Sequence, residues 1–492
     1  MCIFVTQSGA LGPLFLSIYE VTILGAAKQV TGSMYLLELE DGYKILSDCG
    51  TDMEREIDFE TPIINKSFFP FDASLINLVV LTHAHIDHSG NIPMLFREGY
   101  EGQVLCTPPT ADLTELLLFD SANLHLRRLK AAQGESNKKH KQMDRLLRKG
   151  DMYLQKDVEN SLENFVTLQF NKKFTNKPGL EITFFPAGHL LGAAHLYFSI
   201  TEGEEIKTLG FSGDIGRNNY PLHIDPQILP PVDYLICEST YGNRIHEDKV
   251  SPMDAMEAII KETCIDKPGR LVIPAFSVGR TQAVLFTLNR LIEERNFPAI
   301  RVFTDSPMGR SSTKIYAKYL SYLNSEARSF QKEYDELFDF DNLVYLQSEK
   351  ESNAIQNYHE PCVIISSSGM ITGGRVEKHI ADNISNSYST ILLIGYSAEG
   401  TLGRQLLSGS ETIKVKDREY KVNARIRKID VFSGHADQLG LLSFIKNQQI
   451  DKLKKVFLTH GEEESMLEFS QEIQKIGFKE VILPAKNETY LL

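Results

Sequence analysis

From about residue 232 the sequence repeats one texture, and that texture limits the folds open to the chain. The runs "GRLVIPAFSVG", "AIRVFTDSP", "PCVIISSSGM" and "STILLIGYS" are short and almost continuously apolar. Helical segments such as "TQAVLFTLNRLIEERN" alternate with them. A strand apolar on both faces must be covered on both faces, so this alternation predicts a parallel α/β sheet flanked by helices. After about residue 428, "KIDVFSGHAD" and "KVFLTHGEEE" again read as a strand followed by a polar cluster.

The first half reads differently. "SMYLLELE" and "YKILSD" flank Asp41-Gly42, a strong hairpin signal. "ITFFPAGHLLGAAHLYFSI" leading to "TLGFSGD" reads as further antiparallel strands, and residues 108–160 as mainly helical. At 492 residues, two domains are expected. No apolar run is long enough to span a bilayer, so no membrane is expected. Residues 1–17 read as a loosely attached leader. No Lys or Arg precedes Lys28, so the charged start of a secretory signal is missing and export is not expected.

Six cysteines lie far apart with no CxxC pair, a usage that fits a reducing compartment and neither a disulfide framework nor a zinc ribbon. The net charge of −13 disfavours nucleic acid when taken alone. Charge is unevenly spread, however, and residues 126–150 form a basic island expected to be helical with a break near Gly134.

The stretch "NLVVLTHAHIDHSGN" places His83, His85, Asp87 and His88 at the end of an apolar run, in a chain with 13 histidines. On that spacing His83 and His85 fit one metal, and Asp87 and His88 fit a second beside it. His189 in "PAGHLLGAA", Asp214 in "GFSGDIGR" and His460 in "VFLTHGE" stand at other strand ends. Together they complete two sites with a bridging carboxylate.

HxHxDH followed by downstream His, Asp and His resembles the metallo-β-lactamase superfamily. "ESTYGNR", "IPAFSVGRTQ", "SSSGMITGGR" and "FSGHAD" resemble its β-CASP ribonuclease branch, relatives of the endonuclease that processes pre-mRNA 3′ ends. The resemblance implies an αββα sandwich with a parallel α/β β-CASP domain inserted before the last metal ligand. The expected boundaries are 18–231 and 429–492 for the sandwich and 232–428 for the insertion. It further implies two zinc ions per chain, one on His83, His85 and His189, the other on Asp87, His88 and His460, with Asp214 bridging. Asp48 in "SDCG" matches an acid that orients the ligands or the attacking water.

A shared hydroxide would attack a phosphodiester, and the departing ribose oxygen needs a proton. His435 matches the histidine that donates it, and Glu238 the acid beside it; a strand-end pairing of Glu238 with Arg244 is the plainer alternative. Asp48, Asp87, Glu238 and His435 are thus the expected catalytic set. Arg280 opens a helix, and Ser366, Ser367, Ser368, Gly369 and Arg375 could cradle phosphate. His246 and His379 match no catalytic position and are expected on the surface or along the RNA.

The implied activity is hydrolysis of single-stranded RNA in the cytoplasm, and endonucleolytic and 5′-to-3′ exonucleolytic cutting both fit. A homodimer is left open. Lactamases and thioesterases lack the inserted domain. DNA-cutting members typically lack a histidine where this chain has His460, and non-catalytic relatives have lost ligands that this chain keeps.

Overall fold

The computed structural model describes residues 19–53, 67–133, 153–247, 249–395, 397–398 and 400–492. The expected leader lies outside them. So does the basic island beyond residue 133; its first residues lie in the helix Pro108–Gln133.

Two seven-stranded sheets form a sandwich. The first runs in the order Glu488–Leu491, Glu20–Ile23, Tyr35–Glu38, Lys44–Ser47, Leu78–Val80, Gln103–Cys106, Phe165–Thr167. The second runs Val481–Ile482, Lys455–Thr459, Tyr234–Glu238, Glu205–Phe211, Ala194–Glu202, Leu180–Pro186, Lys173–Lys177. Alternate residues explain the layering. Leu78 and Val80 point into the core between the sheets, against Phe184, Phe198 and Phe211. Val79 and Leu81 point the other way, under helices that supply Ile92, Leu95, Leu118 and Val158. On the far side, Val456 and Leu458 meet Leu441, Ile445, Met466 and Phe469 of the helices Gln438–Lys446 and Glu463–Lys475. The layers are therefore helix, sheet, sheet, helix, which is why "LVVL" and "VFL" are apolar without alternation.

The chain leaves this sandwich after Tyr234–Glu238 and returns at its parallel neighbour Lys455–Thr459, with Glu238 opposite Thr459. Between them lies a six-stranded parallel sheet, Leu343–Tyr345, Arg301–Asp305, Cys362–Ser366, Arg270–Pro274, Thr390–Leu393, Arg425–Lys428. Helices such as Arg280–Arg295 and Val376–Asn383 cover its two faces. One cluster joins Leu271, Ile273 and Phe286 of this insertion to Leu190, Leu191 and Tyr220 of the sandwich, so the seam between the domains is itself core.

One expected element differs. The strand foreseen in "KIDVF" lies upstream, in Arg425–Lys428. Residues 429–437 form the crossing between domains. Ile429, Val431 and Phe432 are buried in the seam cluster. Their apolar character serves that packing, and the backbone is committed to the turn that presents His435.

Candidate metal centre

The site lies where strand ends of the sandwich meet the seam. The loop after Leu78–Val80 carries His83 and His85, and the short helix Ile86–Ser89 carries Asp87 and His88. This loop rests on the turn "SDCG", whose Gly50 leaves no room for a side chain: a Cβ there would lie 1.6 Å from the Asp87 carbonyl oxygen. Asp48 and His460 hold positive φ, +58° and +48°, a costly conformation for non-glycine residues that persists where the surroundings impose it.

Two ligand clusters result. His83, His85, His189 and Asp214 form one; Asp87, His88 and His460 form the other. In the first, His85 Nδ1 lies 3.1 Å from His83 Nε2 and 3.2 Å from His189 Nε2. Asp214 Oδ2 is 3.5 and 3.6 Å from the same two Nε2 atoms. A tetrahedral zinc with bonds near 2.0–2.1 Å would space its ligands about 3.3–3.4 Å apart, so the donor set fits. In the second, His460 Nε2 lies 3.5 Å from Asp87 Oδ2, and His88 Nε2 4.0 Å from it. Asp214 Oδ1 faces this side, 3.3 Å from His88 Nε2, buried and without a well-formed hydrogen bond. A buried carboxylate oxygen left in that state is costly unless a cation completes it.

The rings are aimed by their other nitrogens. His88 Nδ1 is 2.7 Å from Asp48 Oδ2, and His189 Nδ1 is 3.1 Å from the Gly434 carbonyl. Thr82 gives its hydroxyl proton to Asp48, so its oxygen accepts from His83 Nδ1 at 3.1 Å. Thr240 does the same at His460: it donates to the His460 carbonyl and accepts from Nδ1 at 2.9 Å. Each anchor occupies the other nitrogen and turns Nε2 toward the centre, where a metal would need it unprotonated. Burial holds His83 and His189 well below the ordinary imidazole range and brings His85 to about 4, so these three imidazoles are neutral, as metal ligands must be. Burial opposes ionisation of Asp214. The imidazoles around it, His460 and His88 foremost, nevertheless hold its carboxyl well below the usual carboxylate range.

His435 belongs to neither cluster. Its Nε2 is 4.0 Å from Asp214 Oδ2, its Nδ1 is 3.2 Å from Glu238 Oε1, and its side chain is 15% exposed where that of Glu238 is 1%. Glu238 also accepts from the backbone N–H groups of Ile215 and Thr240. Its carboxylate therefore points into the site, toward His435.

Three family models divide the chain between them. A metallo-beta-lactamase superfamily domain matches residues 36–209, a Beta-Casp domain 281–406, and a Zn-dependent metallo-hydrolase RNA specificity domain 419–484. A protein of Methanosarcina mazei called transcription termination factor FttA is 32% identical over 93% of this chain and 69% of its own length. Ribonuclease TTHA0252 of Thermus thermophilus is 30% identical over 91% of this chain and 94% of its own. The chain belongs to the β-CASP family of the metallo-β-lactamase superfamily. An RNase J-like protein of Methanocaldococcus jannaschii is 28% identical, covering 92% of this β-CASP protein and 94% of itself. A crystal structure of an Enterococcus faecalis protein of unknown function superposes with TM-score 0.51 at 13% identity, covering 97% of this chain and 100% of that one, a likeness of fold. The architecture is thus the β-CASP one that the resemblance implied, and the chain is a metallo-hydrolase with a candidate His/Asp metal centre.

The phosphate-binding expectations meet mixed surroundings in this β-CASP domain. Arg280 begins its helix as foreseen, its guanidinium 4.7 Å from the Phe276 ring centre and packed on Gly395, where a Cβ would lie 2.2 Å from Nη1. Arg375 instead pairs with buried Asp305 at 2.6 Å. Ser366 is buried and donates to the Asp305 carbonyl, Ser367 to Ser306, and Ser368 to the Thr372 carbonyl. Gly369 follows them, packed on Phe276. His379, expected on the surface, is buried with its Nε2 2.7 Å from Asp305, because that carboxylate needs a partner inside the sheet. His246 donates from Nε2 to the His435 carbonyl at 3.0 Å and lines a seam cavity of about 330 Å³ with Arg244, Arg404, Lys428 and Ser433.

Sequence reasoning missed Thr82, Thr240 and Gly434. Thr82 and Thr240 stand beside predicted ligands or acids, but a threonine at a strand end carries no mark of what its hydroxyl anchors.

Proposed function

We propose that the chain is a ribonuclease that hydrolyses phosphodiester bonds of single-stranded RNA at a pair of zinc ions. His83, His85 and His189 would hold one ion, Asp87, His88 and His460 the other, and Asp214 both. When bound, the pair would supply an activated water and neutralise charge growing on the phosphoryl oxygens. The division of labour around Asp214 supports the reading: seven side chains gather in two clusters that could hold metal, while His435 faces the same centre from outside them.

The chain's own residues do the rest. Asp48 fixes His88 directly and His83 through Thr82. Glu238 accepts the Nδ1 proton of His435, so the Nε2 proton of the imidazolium is aimed at the oxygen that leaves the phosphorus. Transfer of that proton turns an alkoxide into an alcohol, a better leaving group. The imidazole is recharged from solvent, to which its partial exposure gives access. Arg280 would contact the RNA backbone beside the His189 loop, and Ser367, Ser368 and Gly369 would meet it at the rim.

Likeness over nearly the full length of TTHA0252, a protein named as a ribonuclease, supports RNA as the substrate. We place the domain boundaries at residues 231/232 and 428/429. We place the enzyme in the cytoplasm, in keeping with five buried, unpaired cysteines among the described residues. Incubation of end-labelled single-stranded RNA and DNA of one sequence with zinc-loaded protein tests the reading. RNA should be cut far faster, and equal rates on the two polymers would overturn it.

A further inference from the structure

A second basic stretch of this acidic chain, besides residues 126–150, is absent from the account so far. Residues 411–428 hold seven Lys or Arg against three Asp or Glu, in a chain of net charge −13. Thr412–Val415 and Arg418–Lys421 form a separate antiparallel hairpin, and Arg425–Lys428 is the edge strand of the inserted sheet. The register pairs Thr412 with Lys421 and Lys414 with Glu419, so Lys414 and Lys421 share one face. The other face anchors the hairpin through Ile413 and Val415, 2% and 4% exposed. Lys414, Lys416, Arg418, Lys421, Arg427 and Lys428 are all exposed. Arg427 answers Glu262, and Glu419 is held by the Thr412 hydroxyl. Among the described residues Lys414, Lys416 and Lys421 have no ion pair.

The hairpin is joined to the catalytic seam. Helix Leu402–Leu407 packs on both the hairpin strand Thr412–Val415 and the edge strand Arg425–Lys428. Its Leu406 shares one core with Ile413 and Val415. The same helix lends Arg404 to the wall of the seam cavity, which Lys428 and Ser433 also line, and Ser433 is two residues from His435. One helix therefore links the basic hairpin to a cavity wall near His435 that carries Arg244, Arg404 and Lys428 as well as Glu247 and Asp430.

We infer that Lys414, Lys416 and Lys421 form an accessory strip for the phosphate backbone of single-stranded RNA, several nucleotides from the cut. This rests on the ribonuclease reading. Such a strip would bind without reading sequence, would be used only by RNA long enough to reach it, and would show itself in the salt dependence. For single strands each neutralised phosphate adds about 0.7 to the slope of log affinity against log salt.

The test compares the protein with the triple variant Lys414→Gln, Lys416→Gln, Lys421→Gln, by fluorescence anisotropy on phosphorothioate oligouridine of about 6 and about 24 nucleotides, bracketing a typical single-strand site. The variant should keep the affinity for the short oligomer and its metal content. For the long oligomer it should lose about 10- to 100-fold in affinity, with a salt slope shallower by about 2. Unchanged binding of the long oligomer would overturn the inference. Were new self-association to accompany it, the lysines would be guards of an exposed strand edge. Equal loss on both oligomers would also overturn it, since the strip would not then be distal. If the unsubstituted protein binds neither oligomer, the ribonuclease reading fails and the strip with it. If the protein binds and cuts RNA while the variant behaves identically, only the strip fails.

Discussion

Replacing His435 by alanine removes an imidazole that faces the centre but holds no place in either ligand cluster. Its Nε2 stands 4.0 Å from Asp214 Oδ2, and its Nδ1 is held by Glu238, 3.2 Å away. Both ligand clusters should therefore persist in the variant, and zinc content and RNA affinity should match the parent. What is lost is a positioned proton donor, worth roughly 10²–10⁴ in rate, or about 3–5 kcal/mol of barrier at 1.36 kcal/mol per decade. Glu238→Gln should fall less: a glutamine oxygen in the Oε1 place still accepts from both Ile215 and His435, while the negative charge and the Oε2 acceptor of the Thr240 N–H are lost. The double variant should be clearly non-additive, since the two side chains act as one unit. Single-turnover cleavage of labelled RNA gives the rates, and a substrate with sulfur at the leaving position supplies the decisive control. Thiolate departs without a proton, so it should restore His435→Ala far more than the parent enzyme. Loss of zinc in His435→Ala, or absence of sulfur rescue, would refute the acid assignment.

Other outcomes follow from the same contacts. Thr240→Val removes the acceptor that holds His460 Nδ1 at 2.9 Å, and should weaken zinc binding by roughly 10–100-fold in a competition titration, while Thr240→Ser retains most of it. Gly50→Ala places a methyl 1.6 Å from the Asp87 carbonyl oxygen, and should deplete zinc and activity with far-ultraviolet circular dichroism preserved. Phe457→Ala opens a cavity in the fully buried centre of the sandwich, and should cost about 3–5 kcal/mol in denaturant unfolding.

The sequence announced those features that a local pattern fixes. "LVVL" had to be a strand covered on both sides, and Asp41-Gly42 had to turn between Tyr35–Glu38 and Lys44–Ser47. The crowding at residues 83–88 pointed to metals, because few other roles call for four donors on so short a stretch, and the fold brings those side chains into two candidate clusters. Elements that depend on distant partners were less legible. "KIDVF" is apolar because it fills the seam, and no periodicity distinguishes that from a strand. His379 looks like a surface residue until Asp305, 74 positions away, is seen beside it. Arg375 looks free for phosphate until the same carboxylate is counted. Thr82 and Thr240 acquire meaning only when the fold brings a ring nitrogen within reach.

Metal stoichiometry tests the central claim most directly. Elemental analysis of zinc-loaded, gel-filtered protein should give two zinc ions per chain, and still two in His435→Ala. Asp214→Ala, which removes the carboxylate shared by both clusters, should fall well below two. One zinc or none in the parent protein, or two retained in Asp214→Ala, would contradict a dinuclear centre bridged by Asp214.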